Sequence, residues 1–160
     1  MDQLKTIELS AKILHLLFGW KCYKIDDSFI LNPSDKHNLG YKLHDSYSLI
    51  NEVPFEEINI AKLHVGYIKT ENVNNRNFLF LARLPNFAED KKLFNHIIEY
   101  FKEINKIKEF KYFIESRYSA IDFYALNQYD TCLLVIEFFN KIKGECLEVA
   151  CHNQQQGSVD

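Results

Sequence analysis

The chain has 160 residues, of which 47% are hydrophobic and 26% are charged, and its 22 acidic and 19 basic residues give a net charge of -3. This composition excludes a disordered protein, because the chain holds enough apolar surface to build a core. The acidic balance argues against a nucleic-acid partner, since such proteins carry an excess of basic side chains for the phosphates. No apolar run reaches the roughly 18 residues that span a bilayer, and the first residues lack the features of a secretion signal. We therefore expect a cytoplasmic protein with no membrane partner.

The first 35 residues predict a helix followed by two short strands. Apolar side chains recur at helical intervals from about Asp2 to Phe18. Gly19 ends this helix, because glycine adopts a left-handed backbone conformation without steric cost. Residues 20–25 then predict a strand, and residues 29–31 predict a second one before the turn formers of Asn32–Asp35.

The middle of the chain predicts a long hairpin after a segment without a clear pattern. Residues 32–60 indicate only broken strands or a structured loop. Residues 61–69 alternate between apolar and polar side chains, as in a half-buried strand. A polar connection at 71–77 leads back to the apolar run 78–82, which has the length of a buried strand.

The clearest prediction is the central helix that follows this run. Pro85 stops the strand, and Asn86 is a suitable N-cap with Glu89 three residues later. The next apolar side chains lie at helical spacing, which predicts one buried face. They are Leu93, Phe94, Ile97, Phe101 and Ile104.

The last third predicts two aromatic strands and a final helix. Residues 110–115 and 118–126 are rich in Phe, Tyr and Ile, which favour strands. A helix capped by Asn127 or Asp130 then runs to Lys143, apolar nearly all round, and residues 153–160 form a polar frayed tail. The whole pattern predicts a single α+β domain over residues 1–152, with a mainly antiparallel sheet packed with three helices: N-terminal, central and C-terminal.

No catalytic or metal-binding motif is present in the sequence. It lacks a glycine-rich phosphate loop and a serine elbow, and Cys146, Cys151 and His152 lack the paired spacing of a zinc site. We therefore expect free thiols, no metal, no cofactor, and stability that chelators do not change. One polar concentration, residues 35–37 with His44-Asp45, suits either an acid–base pair or a solvated loop, and we favour the loop.

Four amphipathic side chains in the middle segment are the candidate partner surface, because tyrosine is enriched at protein interfaces. They are Tyr41, His44, Tyr47 and Tyr67. The alternative is that the tyrosines cover the open side of the sheet. Self-association through the same surface would give a homodimer.

Arg83 and Arg117 are candidate anion-binding residues, because each lies beside a predicted aromatic strand and a guanidinium binds a carboxylate or phosphate through two hydrogen bonds. We favour instead a structural pairing with a local acid such as Glu115 or Asp122.

Several features of the chain resemble small phage-encoded proteins with an alpha-beta-alpha sandwich domain, whose function is unassigned. They are Ala11-Lys12 in a helix ending at Gly19-Trp20, the helix entry 85–90, and Asp130-Thr131 before an apolar helix containing Cys132. The similarity covers residues 5–20 and 78–143. Phe87-Ala88 and Cys132 depart from the pattern, which has Tyr-Ser and Pro at these places. The resemblance implies a phage or mobile-element origin rather than an activity.

Two classes of function remain, a binding protein that occupies a partner and a small enzyme with an unrecognised site. The missing nucleophile, metal and phosphate motifs favour the first, so enzymatic activity stays uncertain and is not our expectation. With the phage resemblance, we expect an inhibitor of a host defence or of a rival protein, comparable to anti-CRISPR proteins. A toxin immunity protein, or a nucleotide-binding sponge using Arg83 and Arg117, is the alternative.

Overall fold

The computed structural model describes residues 3–41, 50–65, 67–73, 76–81, 84–117 and 127–157, and for 65–81 and 145–157 only the backbone. These residues form an α+β fold, as the sequence predicts. Its elements are α1 (Gln3–Leu16), β1 (Lys21–Ile25), β2 (Ser28–Asn32), two 3-10 turns (Phe55–Glu57 and Ile60–Lys62), β3 (Leu63–Val65), β4 (Tyr67–Val73), β5 (Arg76–Leu81), α2 (Lys91–Glu103), α3 (Ile107–Arg117) and α4 (Gln128–Gly157).

The described strands form two small sheets. In the first, β2 lies between β1, to which it is antiparallel, and β3, to which it is parallel. In the second, β4 and β5 pair as an antiparallel hairpin. Two of the three pairings are antiparallel and one is parallel, so the described sheets are small and mixed, whereas we predicted a mainly antiparallel sheet.

The predicted long hairpin is present, but its boundaries differ. The expected polar connection 71–77 lies mostly within β4 and β5, which pair up to Val73 and Arg76. The segment 63–65 does not belong to the hairpin and instead pairs with β2. Polar side chains did not end the hairpin here, because the backbone hydrogen bonds between two antiparallel strands do not depend on side-chain polarity.

Gly19 ends α1 as predicted. Its φ of 73° lies in the left-handed region, where a glycine has no Cβ to clash. The next residue, Trp20, donates its backbone N–H to the Leu14 carbonyl, which accepts it at 3.0 Å. The reversal sends the chain directly into β1 with the Trp20 side chain fully buried.

The central helix begins later than predicted. Asn86 forms a separate turn, in which its side chain accepts from the Ala88 N–H at 3.1 Å. Asp90 is the N-cap of α2, and its carboxylate accepts from two amides of the first turn. The predicted cap at Asn86 with Glu89 is therefore wrong, because an Asx turn satisfied locally competes with a helix start.

The prediction of a strand over 110–115 is also wrong, because these residues lie in α3. At the end of α2, Lys106 N–H donates to the Phe101 carbonyl at 2.7 Å and Asn105 N–H to the Lys102 carbonyl at 3.0 Å. This pair of bonds is a Schellman motif, with Asn105 at a φ of 60°. The chain can therefore turn from one helix into the next without a strand. The second predicted strand, 118–126, lies outside the described residues.

The final helix is present but differs at both its surface and its end. Leu133 exposes 45% of its surface, so α4 is not buried all round. The helix continues through Gly144 to Gly157, past the predicted end at Lys143 and into the expected tail. One glycine costs a helix only about 1 kcal/mol, and the residues after it include good helix formers.

The core joins α1, β1, β2 and the later helices through large buried side chains. Phe138 of α4 lies at its centre, with its ring centroid 5.3 Å from those of Phe101 and Phe110 and 5.4 Å from that of Phe113. These contacts connect α4 with α2 and α3. Among the described residues, no helix is long and apolar enough to cross a membrane.

Candidate functional site

One cleft brings titratable and aromatic side chains together on the surface of α2. It lies between α2 and the loop 34–40 and has a volume of about 510 Å³. Its lining residues are Phe18, His37, Leu39, His96, Glu99, Tyr100, Lys102 and Glu103. We call it the α2 cleft.

The helical repeat of α2 places four polar residues along this cleft. His96, Glu99, Tyr100 and Glu103 follow one another at intervals of three, one and three residues, so they share one side of the helix. The opposite side carries Ile97 and Phe101, which are fully buried. The same amphipathic pattern that anchors α2 in the core therefore presents these side chains to the cleft.

The loop that forms the other wall is held by side-chain hydrogen bonds. The Ser34 hydroxyl donates to the Phe18 carbonyl at 2.7 Å and accepts from the His37 N–H at 3.2 Å. The Trp20 indole N–H donates to the His37 carbonyl at 2.7 Å. These bonds fix the backbone at His37, so its position does not depend on a ligand.

The inner wall of the cleft is aromatic. The rings of Phe18, His37 and Tyr100 meet pairwise, with centroids 5.5 to 5.7 Å apart. Burial raises the pKa of the Tyr100 hydroxyl, and the negative charge of Glu103 raises it further. The hydroxyl therefore stays protonated at neutral pH and remains available as a donor.

The rim carries two carboxylates that are partnered by exposed lysines. Glu103 Oε1 lies 3.3 Å from Lys36 Nζ, and its second oxygen lies 3.9 Å from His37 Nε2. Glu99 Oε1 accepts from Lys102 Nζ at 3.2 Å. The Lys36 side chain is 75% exposed, so its ion pair with Glu103 is screened by water and contributes little.

A second groove lies between α3 and α4, with a volume of about 340 Å³. Tyr112 exposes 73% of its surface beside it, whereas Phe113 and Phe138 form the apolar part of its lining. The Arg117 guanidinium carbon lies 4.8 Å from the centre of the Phe113 ring. Lys141 approaches the same ring to 5.8 Å. We call this the α3–α4 groove; its full lining is Lys108, Glu109, Tyr112, Phe113, Ser116, Phe138, Lys141 and Ile142.

Of the predicted partner surface, the structure describes the side chain of Tyr41 alone. Tyr41 is partly exposed and packs edge-on against Trp20, with the ring centroids 5.6 Å apart. Its pKa is raised by burial and by Asp90. His44 and Tyr47 lie outside the described residues, and Tyr67 is described only as backbone at the start of β4.

Of the two candidate anion-binding arginines, the structure describes Arg117, whereas Arg83 lies outside the described residues. Arg117 pairs with Glu137 of α4 at 2.6 Å, an acid that the sequence analysis did not name. This short contact holds the guanidinium against Phe113 and joins α3 to α4.

The two described cysteines are buried and unsuited to nucleophilic catalysis. Burial raises the pKa of both the Cys132 and the Cys22 thiol to about 12, and for Cys22 the charges of Glu52 and Glu56 add to the effect. The thiolate is the nucleophile, and it is scarce at neutral pH in such a site. Within the described residues, no group of three or more His, Cys, Asp and Glu side chains could hold a metal ion.

The sequence analysis weighed His37 only as part of a polar loop and did not connect it with α2. His37 and Glu103 are far apart in the sequence, and no short motif joins them. The available signal was the repeat of His96, Glu99 and Glu103 on one helix face. Comparisons of the chain with protein-family models, curated proteins and solved structures gave no match.

Proposed function

We propose that the chain is a small binding protein that inhibits a protein partner by occupying its surface, without catalysis of its own. The observation that carries this proposal is Tyr112, a large aromatic residue that is 73% exposed beside an apolar groove. Tyrosine and arginine are enriched at the centres of protein interfaces, where they contribute most of the binding energy. Tyr112 provides the first of these on α3, next to Phe113, against which Glu137 holds the Arg117 guanidinium.

The charge of the α3–α4 groove favours an acidic partner segment. Lys108 and Lys141 lie on its lining with one acidic residue, Glu109. Glu109 is itself paired with Lys106 at 3.2 Å, which leaves the two groove lysines to set the charge of the rim. An acidic segment with apolar side chains would place its charges on these lysines and its apolar groups against the exposed ring of Tyr112.

The resemblance to phage proteins suggests which kind of partner is inhibited. We propose that the partner is a host defence protein or a rival protein, and that inhibition takes place in the cytoplasm. The buried free thiols Cys22 and Cys132 suit that compartment, where thiols stay reduced. A nucleotide-binding function has less support, because the guanidinium of Arg117 is already paired with Glu137.

Affinity capture with surface variants tests the proposal. We expect a protein retained from host extract by the wild type to be lost with Tyr112→Ala and with Lys141→Glu. Truncation of an interface tyrosine should weaken binding by about 1 to 3 kcal/mol. Lys12→Glu is the control, since Lys12 is a surface lysine on α1 that does not line the groove.

The predicted tyrosine surface is tested in the same experiment with a Tyr41→Ala, Tyr47→Ala double variant. Because Tyr41 packs on Trp20, we expect a lower melting temperature from this variant whether or not capture changes. A partner retained equally by every variant would contradict both surfaces, and a turnover of substrate by the purified chain would contradict the non-enzymatic function.

A further inference from the structure

The α2 cleft has the volume of a site for a small ligand. Its volume of about 510 Å³ falls within the range of roughly 300 to 1,000 Å³ that is usual for small-ligand pockets. Its loop wall is fixed at His37 by the hydrogen bonds of Ser34 and Trp20. A fixed wall lowers the cost of ligand binding, because less of the protein must be ordered.

The chemistry of the cleft combines an aromatic wall with carboxylates at its rim. Tyr100 and His37 present partly exposed rings, with Phe18 buried behind them, and Glu99 and Glu103 lie one helical turn apart on α2. Aromatic faces attract organic cations, and carboxylates bind them through charge-assisted hydrogen bonds. From this combination we infer that the α2 cleft binds an organic cation carrying a guanidinium or alkylammonium group.

The end of α2 adds negative potential at the same place. Glu103 is the last residue of α2, where the helix carries partial negative charge on its final carbonyl groups. A cation at this end of the cleft therefore meets the carboxylate and the helix terminus together.

Two lysines form ion pairs with these carboxylates. Lys36 pairs with Glu103 and Lys102 with Glu99, and both lysines are more than half exposed. Exposed ion pairs of this kind are weak, so an incoming cation can replace them at little cost. A planar guanidinium has the further advantage of binding a carboxylate through two parallel hydrogen bonds.

An anion is the opposing candidate, because His37, His96, Lys36 and Lys102 all lie in or next to the cleft. An anion would have to approach Glu99 and Glu103, which already hold both lysines. The two candidates predict opposite effects of removing Lys36. Loss of this lysine frees Glu103 for a cation, whereas it weakens an anion site.

The test is calorimetric titration at low ionic strength with agmatine, which carries a guanidinium at one end and an ammonium at the other, and separately with inorganic phosphate. We expect agmatine to bind and Lys36→Met to bind it about two- to fivefold more tightly, the range expected for release from a weak surface pair. Glu103→Gln should weaken binding by roughly tenfold, as expected for loss of a charge-assisted hydrogen bond. A capped glycine–arginine–glycine peptide distinguishes the source: binding of the peptide but not of agmatine assigns the site to an arginine side chain of a partner.

Glu8→Gln is the matched control for Glu103→Gln. The two glutamates are 47% and 48% exposed and lie 3.4 and 3.3 Å from a lysine, Glu8 on α1 and Glu103 at the cleft. We expect Glu8→Gln to leave agmatine binding unchanged, and all three variants to keep the wild-type melting temperature. The inference is overturned if neither the wild type nor Lys36→Met binds agmatine or the peptide, if Lys36→Met weakens binding, or if phosphate binds in their place.

Discussion

Ser10 of α1 is the buried polar side chain that holds the entry to α2. It exposes 1% of its surface, and its hydroxyl accepts the backbone N–H of Phe87 at 3.2 Å. The Phe87 carbonyl is bound in turn by the side chains of Gln128 and Cys132. The turn before α2 is thus held by α1 and α4 in addition to its own backbone bond from the Asp90 N–H to the Asn86 carbonyl.

We expect Ser10→Ala to lower the free energy of unfolding by about 1 to 3 kcal/mol, because it leaves the buried Phe87 N–H without an acceptor. The measurement is a urea titration. Ser116→Ala is the control, since the Ser116 hydroxyl is exposed and donates only to a carbonyl of its own helix. A loss as small as that of the control would contradict the role given to Ser10.

The raised pKa values of the two buried thiols predict a pH dependence of stability. The folded state keeps the protons of Cys22 and Cys132 up to about pH 12, whereas an exposed thiol releases its proton near 9.0. The unfolded chain then binds fewer protons than the folded one, so the free energy of unfolding falls as the pH rises. The stabilisation is complete below pH 9 and is lost between about 9 and 12.

Urea titrations at pH 7, 8, 9 and 10 check this expectation. We expect a decline from pH 9 upward that is shallower in a Cys22→Ala, Cys132→Ala variant, since that variant cannot release thiol protons on unfolding. Tyr41 and Tyr100, whose pKa values are also raised, remain in both proteins and contribute equally. Equal slopes for the two proteins would contradict the assignment to the thiols.

The turn between α2 and α3 depends on the backbone conformation of one residue, Asn105. Asn105 has a φ of 60°, and it allows the two hydrogen bonds that close α2 before α3 begins at Ile107. Asparagine tolerates this conformation, whereas a β-branched side chain meets the following carbonyl. The turn keeps Phe101 of α2 and Phe110 of α3 in contact, with ring centroids 4.8 Å apart.

We expect Asn105→Val to lower the free energy of unfolding by about 1 to 2 kcal/mol, the cost of the left-handed conformation for a side chain with a Cβ branch. Asn105→Gly should be neutral or stabilising. Asn95→Val is the matched control, since Asn95 is exposed within α2. Asparagine and valine have similar helix propensity, so this substitution should change the stability of the helix little. Equal losses at positions 95 and 105 would show that the φ of Asn105 is not required.

The sequence predicted correctly those elements whose ends or buried faces depend on neighbouring residues. Gly19 ended α1 as expected, and the apolar spacing of α2 identified its buried face through Ile97 and Phe101. The pattern failed for α3, where aromatic content favoured a strand although Phe110, Phe113 and Ile114 are spaced as in a helix. The helical spacing was therefore the better signal, and the turn at Asn105 lets the new helix begin directly after α2.

The candidate site was less predictable than the fold. His37 reaches α2 in a loop held by Ser34 and by Trp20, and Trp20 lies 17 residues away in the sequence. The α3–α4 groove depends on a helix that the sequence analysis assigned to a strand. Arg117 was expected to pair with a nearby acid, but its partner Glu137 comes from α4. Long-range geometry of this kind is not encoded in residue spacing.

At the scale of the whole molecule, α2 connects the core with the α2 cleft. One face of the helix carries Ile97 and Phe101 into the core, and the other presents Glu99 and Glu103 to the cleft. Substitutions on the exposed face can therefore change binding without changing stability. Substitutions on the buried face should change both, because the cleft wall moves with the helix.

The position of Phe138 predicts that α2, α3 and α4 unfold together. Its ring contacts Phe101 of α2 and both Phe110 and Phe113 of α3, so Phe138→Ala should cost about 3 to 5 kcal/mol through lost transfer energy and a cavity. In hydrogen exchange, we expect amides of α2 and α3 to lose protection by the same amount, since both helices lose one shared contact. Leu133→Ala is the control on the same helix, because Leu133 is 45% exposed and should cost less than about 1 kcal/mol. Protection lost in α3 while α2 keeps its wild-type value would show that the two helices are stabilised independently.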